Sequence, residues 1–394
     1  MQLYTLMLRN QSVMDIKMEN NRVCEVEKIY NENLIPIHLK GNLSKTNLEK
    51  WLYSRMIPES RPLYNSINKY LKTNAKMTIL SMVMFNHALS LSDQYWLCAE
   101  GIQAEWKDIN FFENDFSYDM GNFLFTPERF ECQLNWRSPD FTTNGICQKS
   151  WRSTNDKRYL IKAPIEKKGQ EAINEAAISS YLSLVNFPYL QPAKNTLTKI
   201  KGRLCSVSEN FLSEHTELVT AYAVYRYEPK PDGITPYSHL RMMCKKLNIP
   251  NACEFIDAML LFDNVIANKD RHMGNFGFLR DTKTLEFLGP APLYDNGSSL
   301  WFDEILLKPG AGVMDELAKP FGKLHKDNLK DIKNDALLRK LNIGEFRKIL
   351  EETAKQGKFD RKQMEYVCEN VESRYERVWK EREKIREREE ERER

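Results

Sequence analysis

A chain of 394 residues has room for two or three domains, each with a core of its own. Its 42% hydrophobic and 29% charged residues are the make-up of a soluble protein, and a formal net charge of +3 gives no drive toward nucleic acid or an anionic membrane. Apolar stretches such as Met77–Phe85 and Phe255–Ala267 are too short to span a bilayer, and the N-terminus lacks the pattern of a secretory signal.

The 8 cysteines, from Cys24 to Cys368, include no C-x-x-C pair, which argues against a zinc or redox motif. Disulfide frameworks belong to small secreted domains, so the expectation is reduced thiols in a cytoplasmic protein. No internal repeat is visible.

Up to residue 130 the chain reads as a mixed α/β accessory region. Met1–Leu8 is a strand, and Thr46–Arg55 and Ser92–Glu100 are helices, the second with Ser92 as N-cap and Gly101 beyond its end. Trp51, Trp96 and Trp106 are expected in the core, and Phe111–Tyr118 reads as a crossing loop.

From 131 to 228 strands dominate. Arg158–Ala163 is a strand, followed by a helix over Gly169–Val185, where Ala172, Ala176, Ile178, Tyr181 and Leu182 recur near helical spacing and Pro188 follows the end. Leu204–Val207 and Glu217–Tyr227 read as further strands. After Pro229-Lys-Pro-Asp-Gly233 the chain turns helical over 229–379, with Ala252–Ala267 the strongest helix. Residues 380–394 form a charged tail of nearly balanced sign, suited to a solvated continuation of a helix over Asp360–Trp379. The expected class is α+β: a strand-rich lobe and a helical lobe in a protein-kinase-like arrangement, preceded by the accessory region.

Phosphoryl transfer needs metals on the phosphates, a cation near them and a carboxylate to orient the attacking hydroxyl. Asp270 and Asn275 follow the apolar helix at the D-x-x-x-x-N spacing of a kinase catalytic loop, in which the Asp orients the hydroxyl and the Asn binds metal. Phe276–Leu279 and Leu285–Leu288 then read as a hairpin turning near Asp281–Lys283. Such a hairpin returns Asp295 to the loop as a second oxygen ligand for Mg²⁺. Upstream, Lys162 ends a strand and Glu175 lies in the next helix, the lysine–glutamate pairing that holds an ammonium against nucleotide phosphates. Glu171 is a rival partner one turn away. The segment Ser138–Ser150 precedes the lysine strand, and its Thr143, Asn144 and Gly145 are candidates for covering phosphates, although it carries no G-x-G-x-x-G.

Asn268-Lys-Asp-Arg-His-Met-Gly-Asn275, followed by Pro292-Leu-Tyr-Asp295, resembles the HipA-like serine/threonine kinase family, itself distantly related to phosphatidylinositol kinases. Tyr159-Leu-Ile-Lys162, Asn174-Glu175 and Ala318-Lys-Pro-Phe321 resemble further family segments. The resemblance covers roughly residues 131–350, and the first region differs from the family's short N-terminal domain. It implies ATP and Mg²⁺ as cofactors, Asp270 as base, Asn275 and Asp295 as metal ligands and Lys162 as the phosphate contact. His272 stands where many protein kinases have lysine; phosphate, metal-shell and backbone-bonding roles all stay open for it.

The resemblance also implies a protein substrate of unspecified identity. By family analogy alone it implies a small repressor-type DNA-binding partner, with no direct nucleic-acid binding by this chain. Thr142, Thr143 and Ser150 are candidate self-phosphorylation sites. A lipid or small-molecule kinase is the alternative activity, disfavoured by the lack of a basic cluster or amphipathic membrane helix near the site. A kinase-like binding module is the third reading, disfavoured by the complete set of base and metal residues.

Overall fold

The computed structural model describes all residues except 21, 62–63, 71, 73–78, 126–134, 136, 166–168, 305–307, 309, 311–313, 358 and 394. The boundary expected near residue 130 lies outside the described residues.

Four antiparallel strands open the chain's first region, in the order β3 (Arg22–Ile29), β2 (Gln11–Glu19), β1 (Gln2–Leu8) and β4 (Tyr95–Ala99). β4 occupies the stretch that the sequence marks as a helix over Ser92–Glu100. Tyr95, Trp96 and Leu97 are all buried, so the run has no polar face by which period could separate strand from helix. Pairing with β1 decides it, Leu6 lying opposite Leu97. The short helices α1 (Lys45–Tyr53), α2 (Tyr64–Tyr70), α3 (Ile79–Phe85), α4 (Trp106–Ile109) and α5 (Asp119–Phe125) complete this region. Trp51, Trp96 and Trp106 are buried as expected.

A second antiparallel sheet follows, ordered β5 (Gln148–Thr154), β6 (Lys157–Ala163), β8 (Arg203–Glu209), β7 (Asn195–Ile200). Helix α6 (Gln170–Val185) packs on it and ends at Asn186, whose left-handed backbone (φ 46°) stops the helix. β9 (Thr216–Thr220) is shorter than the strand expected over Glu217–Tyr227. Thr220 accepts the Ala223 N–H and caps a helical turn, α7 (Ala221–Tyr225), in place of the strand's second half.

The helical lobe contains α8 (Pro236–Lys246) and α9 (Ala252–Val265). A three-stranded sheet, β11 (Phe287–Pro290), β10 (Gly277–Asp281) and β9, carries the expected hairpin. The small hairpin β12 (Leu317–Ala318) and β13 (Lys323–Leu324) precedes α10 (His325–Asp331), α11 (Ile343–Ala354) and α12 (Arg361–Glu393). One hydrophobic core runs from α6 through α9 to α12. α12 continues unbroken past residue 380, and Arg382 and Arg386 pair with Asp335. The antiparallel sheets, strand-rich lobe and helical lobe form the α+β kinase-like architecture.

Candidate active site

The site forms where α9 ends. Ala267 takes a left-handed backbone (φ 52°), and the chain leaves the helix as a loop. Asp263, in the last turn of α9, holds that loop from inside: its backbone carbonyl accepts the Asn268 N–H at 2.9 Å and its Oδ1 accepts Asn268 Nδ2 at 3.1 Å. Asn268 Oδ1 in turn accepts the Asp270 N–H at 3.0 Å.

Arg271 is fully buried and ties three parts together. Its Nε donates to Asp263 Oδ2 at 2.9 Å and its Nη1 to the Asn275 carbonyl at 2.9 Å, while other bonds reach the Tyr294 carbonyl and Asn296 Oδ1. A buried guanidinium is tolerable because every nitrogen has an acceptor and a carboxylate balances the charge. The loop and the segment around Asp295 are thereby clamped side by side. Sequence reasoning misses both Asp263 and Arg271. A lone carboxylate in the apolar run Ala258–Val265, just before the loop, is the available signal.

Lys162 and Glu175 meet as expected. Lys162 Nζ lies 3.1 Å from Glu175 Oε1 and 3.0 Å from Asp295 Oδ1, so one ammonium joins strand, helix and hairpin. Burial disfavours the charged lysine, but Asp295 and Glu175 outweigh it and raise the pKa above its ordinary value. Burial likewise opposes the Asp295 carboxylate, and the Lys162 and Lys149 charges overcome this and hold its pKa below the usual range. Asp295 sits at φ 60°, a left-handed conformation that Asp tolerates better than most residues. Glu175 Oε2 supports it by accepting the Asn296 N–H at 3.2 Å. Glu171 is directed elsewhere, accepting the Ile165 N–H.

Asn275 donates through Nδ2 to the Asp270 carbonyl at 3.1 Å, which leaves its Oδ1 without a protein donor among the described residues. That oxygen and the Asp295 carboxylate line the same cleft. Mg²⁺ typically takes one or two protein oxygens and completes its shell with phosphates and water, so this pair fits it. Among the described residues no cluster of three or more His, Cys, Asp or Glu side chains could form an all-protein metal cage.

His272 accepts the Gly274 N–H on Nδ1 at 3.0 Å, which leaves Nε2 to carry its proton. Burial lowers its pKa, so the ring is neutral near pH 7.

The nucleotide-loop candidates are held from an unexpected side. Arg61, from the first region, donates to the Thr143 carbonyl and, at 2.8 Å, to the Gly145 carbonyl. Thr143 Oγ1 donates to the Pro139 carbonyl at 2.7 Å, and the Gly145 N–H is taken by Asn144 Oδ1 at 2.6 Å. In this conformation Gly145 therefore offers no free N–H to a phosphate. Thr142 and Ser150 are buried, and the Thr143 hydroxyl also accepts Trp151 Nε1 at 2.9 Å, so none of the three presents a free acceptor hydroxyl here.

Lys149 is a second cation that no sequence motif marks. It stands opposite Lys162 in the β5–β6 pairing, so both side chains point to one face of the sheet. Burial lowers its pKa to about 8, with Asp295 pulling the other way. The pairing of Lys149 with Lys162 on adjacent strands is readable only from their register.

The cleft enclosing these groups measures ≈ 1290 Å³, well above what a small ligand fills. Its walls come from all three regions: Lys50 and Ser54 of the first, Lys149 and Lys162 of the sheet lobe, Asp270 and Asp295 of the helical lobe. A buried cation thus bridges two cleft carboxylates, beside a loop aspartate and an asparagine oxygen.

Comparison with known proteins gives the particular relationship. The serine/threonine-protein kinase CtkA of Helicobacter pylori strain J99 is 24% identical over 227 residues, covering 55% of this chain and 68% of the relative. The crystal structure of the H. pylori proinflammatory kinase CtkA aligns at TM-score 0.46 and 18% identity, over 61% of this chain and 94% of that one. HipA of Shewanella oneidensis MR-1, solved with HipB and operator DNA, aligns at TM-score 0.57 and 12% identity, over 96% of this chain and 99% of that one. No family model matches the chain. The chain resembles the HipA-like serine/threonine kinases in sequence and shares their fold. The alignment with HipA also extends the likeness beyond residues 131–350 into the first region, which the sequence sets apart.

Proposed function

We propose that this protein is an ATP- and Mg²⁺-dependent phosphotransferase acting on serine or threonine of a protein substrate. The observation that carries the reading is Lys162, bridging Glu175 and Asp295 in the cleft that also holds Asp270 and Asn275.

Lys162 holds the phosphates, and Glu175 keeps its ammonium charged and aimed. Asn275 Oδ1 and the Asp295 carboxylate would hold Mg²⁺, which would supply positive charge against the phosphates. Asp270 orients the acceptor hydroxyl and takes its proton as the new oxygen–phosphorus bond forms. The bond to the ADP oxygen breaks, and that oxygen keeps the electron pair. The size of the cleft supports a polypeptide acceptor beside the nucleotide.

Incubation with labelled ATP and Mg²⁺ tests the reading: labelled protein should form, and Asp270→Asn should lower the rate by about 10³-fold. Transfer to lipid vesicles but not to protein would favour the lipid-kinase alternative, and absence of nucleotide binding would reject the whole reading.

A small DNA-binding partner belongs to this proposal by analogy with the HipA neighbour, whose structure holds HipB and operator DNA. Co-expression with a candidate repressor followed by gel filtration checks it. A cytoplasmic location also belongs to it. Among the described residues no helix is long and apolar enough to cross a membrane, and the described cysteines are all free.

A further inference from the structure

Among the described residues Asp270 forms one ion pair, and its partner comes from outside the loop. Lys319 Nζ pairs with Asp270 Oδ1. Within the loop, Lys269 pairs with Asp303 and Arg271 with Asp263, and His272, two residues after Asp270, is a neutral ring whose Nδ1 already accepts the Gly274 N–H.

Lys319 is placed, not adrift. It follows Ala318 at the end of β12 and precedes Pro320, whose ring restricts the turn. Ala318 and Phe321 are buried on either side, and the Phe321 ring meets Tyr237 edge-on at 5.6 Å. The backbone is thus anchored while the Lys319 side chain stays 53% exposed in the cleft wall. An exposed pair of this kind adds little to stability, so folding alone does not explain a lysine steered onto this carboxylate.

Three other cleft cations have other partners: Lys162 is held by Glu175 and Asp295, Lys269 by Asp303, and Lys149 donates to the Asn144 carbonyl five residues before it. Among the described residues Lys319 has Asp270 as its partner and no other.

We propose that Lys319 is a catalytic residue of the phosphotransfer, its ammonium holding the phosphoryl group in flight between nucleotide and acceptor. The inference rests on the phosphotransferase reading above. A cation touching the carboxylate that receives the acceptor's proton lies beside the attacking oxygen, where equatorial phosphoryl charge must be met. The acceptor oxygen–phosphorus bond forms, the phosphorus–oxygen bond to ADP breaks with its electrons left on ADP, and the hydroxyl proton goes to Asp270. Lys319 keeps its own protons throughout and supplies charge only.

The test is calorimetric binding of ADP with Mg²⁺, in the presence and absence of aluminium fluoride as a mimic of the phosphoryl group in transfer. The wild-type protein should bind the fluoride complex more tightly than ADP alone. Lys319→Met should keep ADP affinity within about twofold and lose about 100-fold in affinity for the fluoride complex, with Lys319→Arg recovering part of it. Retention of the fluoride enhancement in Lys319→Met overturns the inference, as does an equal loss for ADP and for the complex. Should Lys319→Met fail to fold, Lys319→Gln carries the same comparison. A wild-type protein that binds no ADP, or shows no fluoride enhancement, overturns the phosphotransferase reading and this inference with it.

Discussion

Two of the buried clusters of opposite charges in this molecule differ in what they face. Between the first region and the β9–β10 ladder, Arg280 pairs with Glu217 and donates to Tyr95 Oη at 3.3 Å, with both ion-pair side chains at most 4% exposed. The Tyr95 hydroxyl donates in turn to the Leu34 carbonyl at 2.8 Å. Glu217, Arg280 and the Tyr95 hydroxyl are thus each held by a protein partner away from the cleft's charged centre.

The Lys162 cluster is built from the same kinds of residue but opens to the cleft, with Asp295 34% exposed. Its carboxylate can exchange the ammonium for another cation, and the ammonium can exchange the carboxylate for a phosphate. A sealed ion pair specifies how two elements dock, whereas one open to a cleft leaves its groups within reach of other charges.

Breaking the sealed cluster should have the largest effect. Arg280→Met leaves Glu217 buried and unpaired, and should cost about 3–5 kcal/mol in urea unfolding while the folded fraction keeps its nucleotide affinity. The open cluster should respond in the reverse way. Lys162→Met should lower phosphotransfer by about 10²–10³-fold, with a smaller stability loss than Arg280→Met because water can reach Asp295. Equal destabilisation by the two substitutions would remove the distinction between the clusters.

The smallest effect sharpens the comparison by pH. Lys149 loses its proton at about 8, well below an ordinary lysine, because burial disfavours its charge. Bound phosphate favours the protonated form, so nucleotide binding takes up a proton above that value. Affinity should therefore fall roughly tenfold between pH 7 and pH 9, and Lys149→Gln should flatten the slope. Fluorescence titration with a nucleotide analogue across that range reads the effect directly.

Much of the site is legible in the sequence, because its residues come in fixed local spacing. Asp270 and Asn275 share one loop, and Lys162 and Glu175 sit at the end of a strand and within the next helix. The expected hairpin does return Asp295 to that loop. Elements are less legible where local signals conflict. β4 reads as a helix because its buried run lacks alternation, and the strand after Glu217 reads too long because Thr220 turns it into α7.

Residues acting across long separations leave no pattern in the chain. Arg61 reaches the Thr143 and Gly145 carbonyls over more than eighty positions. Arg271 lies inside the motif, yet its role depends on Asp263, Tyr294 and Asn296 surrounding it.

The sequence alone determined which groups the proposed chemistry draws on, since the order of a strand lysine, a helix glutamate, a loop Asp–Asn pair and an Asp after the hairpin is set by local spacing along the chain. The tertiary structure decided which cations face that chemistry. Lys149 and Lys319 are ordinary surface-type lysines in the chain, and only strand register and the anchored β12–β13 hairpin bring their charges to the cleft, because a Coulomb interaction is governed by distance in space and not by separation in sequence.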